Sequence, residues 1–345
     1  MDLKPFAGFR SLKTHHCVTG SMLHIYHFHG HPLSEDMLFG LGSGLGFIYW
    51  HVKGTAPWFD GRGNVGRPGE DGLEIDAGRR SGVQVEKNTT GSQRKAEASL
   101  LEMLDAAEPV MMNVDMGFLP YFDGLPDDFH FGGHAIVIGG YDPGKRMVLV
   151  ADRDELLHPL SLDDLALARG SKFKPFPPEN MTFTFDFCKA RMPTAAEIQK
   201  AIGEVCATML EGPISNLGVR GIRKAAMKTL KWPQAADEEA LRWWCFNTFI
   251  FIDAAGGTGG GLFRYMYARF LDEAAKTLGA DELSEIGKDL QSIGDRWQGV
   301  AQILRGASES KDPAARLPET TEPLLDIAER EELIWQRLSA LAKSY

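Results

Sequence analysis

A change of pattern near residue 190 constrains this sequence more than any other feature. Before it, helical segments mix with short apolar runs of strand character, of which residues 134–141 and 146–152 are the clearest. Strand patterns repeat every two residues and helical patterns about every 3.6, so the two halves need different architectures. We therefore predict an α+β domain over residues 1–190 and an all-helical domain over residues 191–345. Beyond Pro193 a capping box, Thr194–Glu197, opens the first of the expected helices, and further helical patterns cover residues 218–231, 238–253, 262–279, 282–305 and 321–343.

Length and composition agree with a two-domain globular protein. A chain of 345 residues exceeds what one hydrophobic core usually organises, and 43% hydrophobic with 24% charged residues is an ordinary globular balance. The formal net charge of -10 argues against binding to nucleic acid or to anionic lipid, since both need a positive field. We expect neither as a partner.

Targeting and metal-binding patterns are missing from the sequence. The N-terminal residues contain no apolar signal-peptide region, and no apolar run approaches the roughly 20 residues of a membrane span. The four cysteines form no CxxC pair, and the six histidines between positions 15 and 31 have no completing carboxylate or thiolate beyond Cys17. We predict a cytoplasmic protein with reduced thiols, no metal and no cofactor.

Two residues stand where nucleophilic chemistry needs them. Cys17 lies where a polar loop meets the first helical segment, and the positive end of a helix lowers the pKa of a thiol. His134 opens an apolar strand directly after two glycines, which leave room for a close approach. We predict that Cys17 is a nucleophile activated by His134.

Hairpin arithmetic supplies a third residue. If residues 142–144 form a three-residue loop with Gly144 in the left-handed conformation, His134 lies opposite Asp152. A two-residue loop would move the partner by one position. In either register Asp152 ends a strand beside His134, where its carboxylate could orient the imidazole. Each residue taken singly is a weak signal, and Cys17 by itself could equally be an inert buried thiol. The order of the three residues along the chain, however, is that of papain-like enzymes.

A family resemblance appears at these residues. Residues 15–50 (HHCVTGSMLHIYHFHGHPLSEDMLFGLGSGLGFIYW), 114–121 (VDMGFLPY) and 132–152 (GGHAIVIGGYDPGKRMVLVAD) resemble the butirosin biosynthesis protein H N-terminal family. The fold of that family is similar to the papain-like peptidases that remove bacteriocin leaders. Residues 251–275 (FIDAAGGTGGGLFRYMYARFLDEAA) resemble the helical domain that often follows.

The resemblance implies an acyltransferase that moves an acyl group from a carrier-protein thioester to an amine. Cys17 would form the acyl-enzyme, His134 would act as base and then acid, and Asp152 would orient it. One departure matters, because papain-like enzymes usually place a glutamine before the cysteine as an oxyanion donor, and residues 11–16 contain none. The oxyanion hole must then use the Cys17 N–H and another donor, either a histidine or a loop amide.

Four further residues are candidates for substrate binding: His16, Glu35, Asp115 and Tyr121. Glu35 follows the expected N-cap Ser34, so it either favours that helix N-terminus or contacts substrate. Asp115 ends an apolar strand, where it either approaches the cleft together with Tyr121 or caps a loop.

The second half carries three surface or packing signals. The run Gly256–Gly261 either packs helices tightly or cradles a phosphate. A basic stripe follows one face of the segment 218–231 and is either a docking surface for an acidic acyl carrier protein or a solvated face. The stripe comprises Arg220, Arg223, Lys224, Lys228 and Lys231. The aromatic residues Trp243, Trp244, Phe246, Phe249 and Phe251 form either core or the seam of a homodimer.

Two other functions stay open at this point. A cysteine peptidase or amidohydrolase would use the same three residues with water as the acceptor. A non-catalytic binding protein could keep the fold after losing the oxyanion donor.

Overall fold

The computed structural model describes residues 3–52, 55–66, 71–122, 124, 126 and 128–342. In this part of the chain, no helix has both the length and the apolar character needed to cross a membrane. The helices and strands follow in the order α1 (Cys17–Phe28), α2 (Glu35–Leu41), β1 (Leu45–Trp50), β2 (Trp58–Arg62), α3 (Leu73–Arg80), β3 (Gln84–Asn88), α4 (Gln93–Asp105), β4 (Val110–Val114), β5 (His134–Asp142), β6 (Met147–Ala151), β7 (Leu157–Ser161), α5 (Leu162–Gly170), β8 (Thr182–Asp186), α6 (Ala195–Glu211), α7 (Gly218–Thr229), α8 (Glu238–Ile252), α9 (Arg264–Leu278), α10 (Asp281–Glu309), α11 (Pro313–Arg316) and α12 (Thr321–Ala342).

The chain forms two compact units, a mixed α/β unit and a mainly helical one. The first unit comprises Met1–Leu38 and Ser81–Met192, and the second comprises Phe39–Arg80 and Pro193–Tyr345. The mixed architecture followed by a helical region is the coarse arrangement that the sequence predicts. Residues 39–80, however, group with the helical unit and not with the domain predicted over residues 1–190.

The first unit contains one antiparallel sheet with the strand order β3-β8-β4-β5-β6-β7. Its central pair, β4 and β5, aligns Val114 with His134 and Val110 with Ile138. All four side chains are at most 3% exposed. The beginning of β5 is therefore held inside the protein, next to the end of β4.

Helices cover this sheet with apolar side chains. Helix α1 packs on β4 and β5 and buries Met22, Ile25 and Tyr26 completely. Helices α4 and α5 pack apolar side chains against the strands in one cluster. Their leucines recur at helical spacing and therefore lie on the face that meets the sheet. The main members of this cluster are Leu100, Leu104, Val110, Met112, Ile136, Ile138, Val148, Val150, Leu160 and Leu165.

Residues 54–82, which the sequence indicates as mostly surface loop, contain β2 and α3. The loop prediction is therefore wrong for most of this segment, although residues 54 and 67–70 lie outside the described residues. Phe59 in β2 and Leu73 and Ala77 in α3 are fully buried. These two elements are short, and glycines and charged residues surround their few apolar positions, so the sequence shows no clear period. Strand β1 pairs with β2, and Asn216 Nδ2 donates to the Tyr49 carbonyl at 2.8 Å.

A fully buried ion pair lies inside the helical unit. The Arg264 guanidinium donates to both carboxylate oxygens of Glu331, at 2.8 and 2.9 Å, and both side chains are 0% exposed. The indole N–H groups of Trp297 and Trp335 donate to the same carboxylate, at 3.0 and 3.1 Å. These bonds satisfy both charges inside an apolar core, where an unpaired charge would be very costly.

The glycine run before α9 adopts an unusual backbone and uses its amides internally. Left-handed φ angles extend beyond the glycines to Leu262 and Phe263. The N–H of Gly260 donates to the Thr258 hydroxyl at 3.1 Å, and that of Gly261 donates to Gln298 Oε1 at 3.0 Å. A Cβ atom at Gly261 would lie 2.8 Å from Gly294 of α10. These contacts favour the packing interpretation over a phosphate cradle.

The aromatic segment of α8 is only partly core. Trp244 and Phe249 are 8% and 7% exposed, whereas Trp243 and Phe246 on the same helix are 46% and 42% exposed. The core interpretation therefore holds for the first two, and the homodimer seam stays a prediction for the exposed pair.

Candidate active site

Cys17 is the first residue of α1, as predicted. The preceding residue, His16, is the N-cap with an extended backbone, φ -111° and ψ 133°. The first N–H groups of a helix have no acceptor within the helix, and together they give its N-terminus a partial positive charge. Cys17 and Val18 are the first two residues of α1, so this charge lies beside the thiol. This is the environment that stabilises a thiolate.

The thiol of Cys17 interacts with His134. Burial alone would raise the pKa of the thiol, but the hydrogen bond and the positive charge of His134 outweigh it, with help from the Ala135 backbone and Arg153. The net result is a pKa below the usual value. The sequence does not single out Arg153, because its contribution depends on the loop fold.

His134 also contacts Asp152, and the two side chains are 3% and 6% exposed. Their atoms Nε2 and Oδ2 are 2.7 Å apart. Burial would lower the pKa of His134, but the Asp152 charge and hydrogen bond, together with Cys17, raise it to about 9. With Nε2 engaged, Nδ1 is the ring nitrogen left for the thiol. These directions favour a thiolate–imidazolium pair at neutral pH.

Tyr121 joins the site through Asp152. Its hydroxyl donates to Asp152 Oδ2 at 3.0 Å, and its ring stacks on His158 with centroids 4.3 Å apart. Burial and the neighbouring Asp152 charge raise the pKa of Tyr121, so it stays a neutral donor. Burial would raise the pKa of Asp152, but His134, Arg153 and Tyr121 together lower it. Tyr121 therefore contacts the carboxylate, and its predicted contact with substrate stays a prediction.

The hairpin that brings Asp152 to His134 differs from the predicted one. Asp142 pairs with Met147, so the loop has four residues, 143–146, and Arg146 rather than Gly144 has a left-handed φ, of 53°. Asp142 Oδ1 caps this turn by accepting from the Lys145 N–H at 3.1 Å. The predicted loop is therefore wrong, because the proline and the Asp142 cap favour a longer turn.

A bulge then changes the register along the same hairpin. The pairing shifts between Ile138 and Gly140, so that Val137 lies opposite Ala151. His134 and Asp152 are not register partners, and their side chains meet just beyond the last paired residues of β6. The predicted contact between the two side chains is present, although the predicted register is not.

The carboxylate of Glu35 accepts hydrogen bonds from the residues around Cys17. It is 7% exposed, and it accepts from the N–H of His15 at 2.9 Å and from the N–H of His16 at 2.8 Å. It also accepts from the Thr19 hydroxyl at 3.1 Å. These contacts bind Glu35 to the loop before Cys17, and they leave its predicted substrate contact unsupported.

His16 acts in the same loop as a helix cap. Its Nδ1 accepts from the Thr19 N–H at 3.5 Å and lies 3.1 Å from the Thr19 hydroxyl, and its side chain is 5% exposed. Two bonds attach this loop to the segment after β6, because Ser11 donates to the Asp154 carbonyl at 2.6 Å and the Thr14 N–H to the Arg153 carbonyl at 3.0 Å. His16 therefore helps to start α1, and its contact with substrate stays a prediction.

Asp115 is buried and hydrogen-bonded to neighbouring loop residues. It is 0% exposed, and it accepts from the N–H groups of Gly117 and Phe131 at 3.1 and 3.0 Å. His130 Nδ1 and the Ser171 hydroxyl contact its second oxygen, at 3.0 and 2.6 Å. These contacts favour the loop-capping alternative for Asp115, and its approach to the cleft together with Tyr121 stays a prediction.

Two family models match successive parts of the chain. Residues 16–153 match the family model for butirosin biosynthesis protein H, N-terminal. Residues 163–338 match the model described as Domain of unknown function (DUF4872). The second match covers just over half of the chain, so the chain belongs to the family that DUF4872 defines, and its residues 16–153 are similar to the N-terminal part of butirosin biosynthesis protein H. Cys17, His134 and Asp152 all lie within the first match. No curated protein matches the chain.

Proposed function

We propose that the chain is a cysteine-dependent acyltransferase with a papain-like first unit, in which Cys17, His134 and Asp152 perform the chemistry. One observation carries the proposal: the Cys17 thiol interacts with an imidazole whose other nitrogen lies 2.7 Å from a buried carboxylate. This arrangement supports the roles of Cys17 as nucleophile, His134 as base and Asp152 as the group that orients the base, as in a catalytic triad.

The reaction has two halves. The Cys17 thiolate attacks the carbonyl carbon of an acyl thioester, the carbon–sulfur bond of the donor breaks, and His134 gives its proton to the leaving thiolate. An amine then attacks the acyl-cysteine, His134 takes the amine proton, and the amide leaves as the Cys17 thiolate is restored. Asp152 stabilises the imidazolium at both ends of the cycle.

Mass spectrometry of the intact protein tests the first half. Incubation with a series of acyl-carrier thioesters should add one acyl mass to Cys17, and Cys17→Ala should remove the adduct. The matched control is Cys188→Ala, because Cys188 is exposed and its pKa is raised by the adjacent Asp186. An adduct on Cys188 alone, or on neither cysteine with any donor, would contradict the proposal.

Product analysis tests the second half. With an added primary amine, the transferase should convert the acyl-enzyme to an amide faster than to the free acid. If the free acid forms at the same rate with and without the amine, the site belongs to a hydrolase. Wild-type protein whose Cys17 reacts with iodoacetamide no faster than a free thiol, and equally fast in His134→Ala, would instead indicate a non-catalytic binding protein.

We also propose that the donor is an acidic acyl carrier protein that binds the basic stripe. Lys228 and Lys231 are exposed, whereas Arg223 pairs with Glu332 at 2.6 Å and Lys224 bonds to Asn216 at 2.5 Å. The two exposed lysines are therefore the members most open to a negative partner.

Charge reversal tests this docking surface. The double variant Lys228→Glu, Lys231→Glu should raise the KM for the carrier thioester about tenfold at low salt and leave the KM for an acyl-pantetheine thioester unchanged. Lys276→Glu on α9 is the control, since Lys276 is also exposed. An equal effect on both donors, or none on either, would refute this surface.

A further inference from the structure

We propose that Glu35 is a positioning residue for the reaction, whose ionised carboxylate holds the backbone before Cys17 so that the Cys17 N–H faces the acyl oxygen. The inference rests on the acyltransferase function proposed above. Because residues 11–16 contain no oxyanion-donating glutamine, the direction of the Cys17 N–H matters more in this chain.

The geometry of the carboxylate carries the first step. One oxygen of Glu35 accepts from the N–H of His16 at 2.8 Å, from the N–H of His15 at 3.1 Å and from the Thr19 hydroxyl at 3.1 Å. The other oxygen accepts from the His15 N–H at 2.9 Å. Glu35 thus bonds to both amides that precede the nucleophile and to the first turn of its helix.

These bonds fix the direction of the next amide. The N–H groups of His15 and His16 belong to the peptide planes 14–15 and 15–16, and their bonds to Glu35 restrict the rotation of both planes. The extended N-cap conformation of His16 then sets the orientation of the Cys17 N–H. An oxyanion hole needs its donors fixed before charge develops on the acyl oxygen, and a loop that rotates would lose this advantage.

The carboxylate must be ionised to do this. The hydrogen bonds to Glu35 from His15, His16 and Thr19 all come from N–H or O–H donors, and a protonated carboxyl would turn one accepting oxygen into a donor. The proton would face the amide of His15 or compete with the other donors. The site therefore assembles fully only when Glu35 carries its charge.

The ionisation falls in the range where the enzyme would work. Burial raises the pKa of Glu35 to about 7, the negative charge of Asp36 adds to the shift, and the amides of His15 and His16 and the Thr19 hydroxyl oppose it. Asp36 is the ionisable neighbour on the same helix, and the imidazole of His16 faces Thr19 from the start of α1. Because the carboxylate forms as the pH rises through about 7, turnover should fall as the pH drops below it.

The experiment compares acylation of Cys17 with simple alkylation of the same sulfur over pH 5.5 to 8.5. Alkylation by iodoacetamide needs only the thiolate, whereas acylation also needs the oxyanion hole. In Glu35→Gln, acylation at pH 8 should fall at least about tenfold with little change in KM. The acidic limb near pH 7 should disappear, and the alkylation profile should stay within about twofold of wild type. Glu74→Gln, which neutralises a buried glutamate bonded to Arg62, is the matched control and should behave as wild type.

The outcomes separate this inference from the function on which it rests. An active wild type with the same acylation profile in Glu35→Gln overturns the inference alone, and a parallel loss of acylation and alkylation does so too, because it indicates general disruption. A wild type that takes no acyl group overturns both. If Glu35→Gln does not fold, the side-chain carboxyl carbon resonance of Glu35 in the wild type decides: it should shift with a midpoint near pH 7, and its failure to titrate there overturns the inference.

Discussion

The imidazole of His134 and the carboxylate of Asp152 form a buried pair, with Nε2 and Oδ2 separated by 2.7 Å. Each group holds the other in its charged form, since the pKa of His134 is raised to about 9 and that of Asp152 is lowered. An unpaired charge inside the protein costs free energy, so removing either residue should shift the pKa of the other in favour of its neutral form.

Replacing Asp152 with asparagine should move the alkaline limit of the reaction. Without the carboxylate, burial dominates and the pKa of His134 falls from about 9, so the imidazolium is lost at a lower pH. We expect the alkaline limb of the acyl-transfer profile to shift down by at least about one unit and the rate at pH 8 to fall between about 10² and 10⁴-fold. Stopped-flow rates between pH 6 and 10 measure both. Asp154→Asn, which alters the partner of His158, is the control, and an unchanged limb in Asp152→Asn would contradict the assignment.

Removing the Tyr121 hydroxyl should have a smaller effect in the same direction. Tyr121→Phe deletes one of the two hydrogen bonds to Asp152 Oδ2, so the carboxylate becomes easier to protonate and a weaker partner for His134. We expect a rate about three- to tenfold lower and a loss of about 1 kcal/mol in the free energy of unfolding. Tyr265→Phe removes a similar bond, to Asp295, and should reduce stability without reducing the rate. If the two variants change the rate equally, Tyr121 has no special role at Asp152.

The stability of the first unit should depend on the His134 proton. The folded pKa of about 9 lies above the usual 6.5, so this stabilisation is complete below about pH 6.5 and is lost as the pH rises through 9. The Cys17→Ala background removes the thiol from the titration, and because Cys17 helps to raise the pKa of His134, the loss begins at a lower pH there than in the wild type. Between pH 6 and 9.5, urea unfolding should show a loss of roughly 2–3 kcal/mol that is absent when His134→Gln is added. Equal pH dependence in both proteins would show that His134 keeps an ordinary pKa.

The sequence predicts the meeting of His134 with Asp152 better than it predicts the strand pairing that brings them together. Cys17 and His134 are recognisable because each begins a regular element, and element ends carry strong local signals. The hairpin before Asp152 is not, because its four-residue loop and its bulge near Ile138 depend on tertiary packing. Two register errors of this kind change which residues pair along the strands, yet they leave Asp152 at the same end of the hairpin.

Buried polar contacts between distant segments are harder still to predict. Glu35 reads as an ordinary residue of a helix N-terminus, and only the folded chain shows that its carboxylate reaches amides about twenty positions earlier. For Asp115 the sequence leaves a cleft role and a loop cap open, and it does not identify Gly117, Phe131 and Ser171 as the donors that the carboxylate contacts. The sequence gives no period or spacing from which such partners could be predicted.

Two glycine-to-alanine substitutions should change stability in opposite directions. A Cβ atom at Gly139 in β5 would collide with the ring of Phe9, which is buried. Gly139→Ala should therefore reduce the free energy of unfolding by about 1–3 kcal/mol. Gly203 lies within α6, and a Cβ atom there meets nothing within 4 Å. Gly203→Ala should increase stability by roughly 0.5–1 kcal/mol, because alanine loses less backbone entropy in a helix.

Thermal and urea unfolding of the two variants check the pair of predictions together. Because the two substitutions add the same methyl group, any difference between them reports the local space and backbone conformation rather than the chemistry. Gly139→Ala should also disturb the site, since Phe9 packs against the strand that His134 begins, and its Cys17 alkylation rate should fall while that of Gly203→Ala stays unchanged. Equal stability changes in the two variants would mean that the strand tolerates a methyl group beside Phe9, and that the approach of this ring does not fix the position of β5.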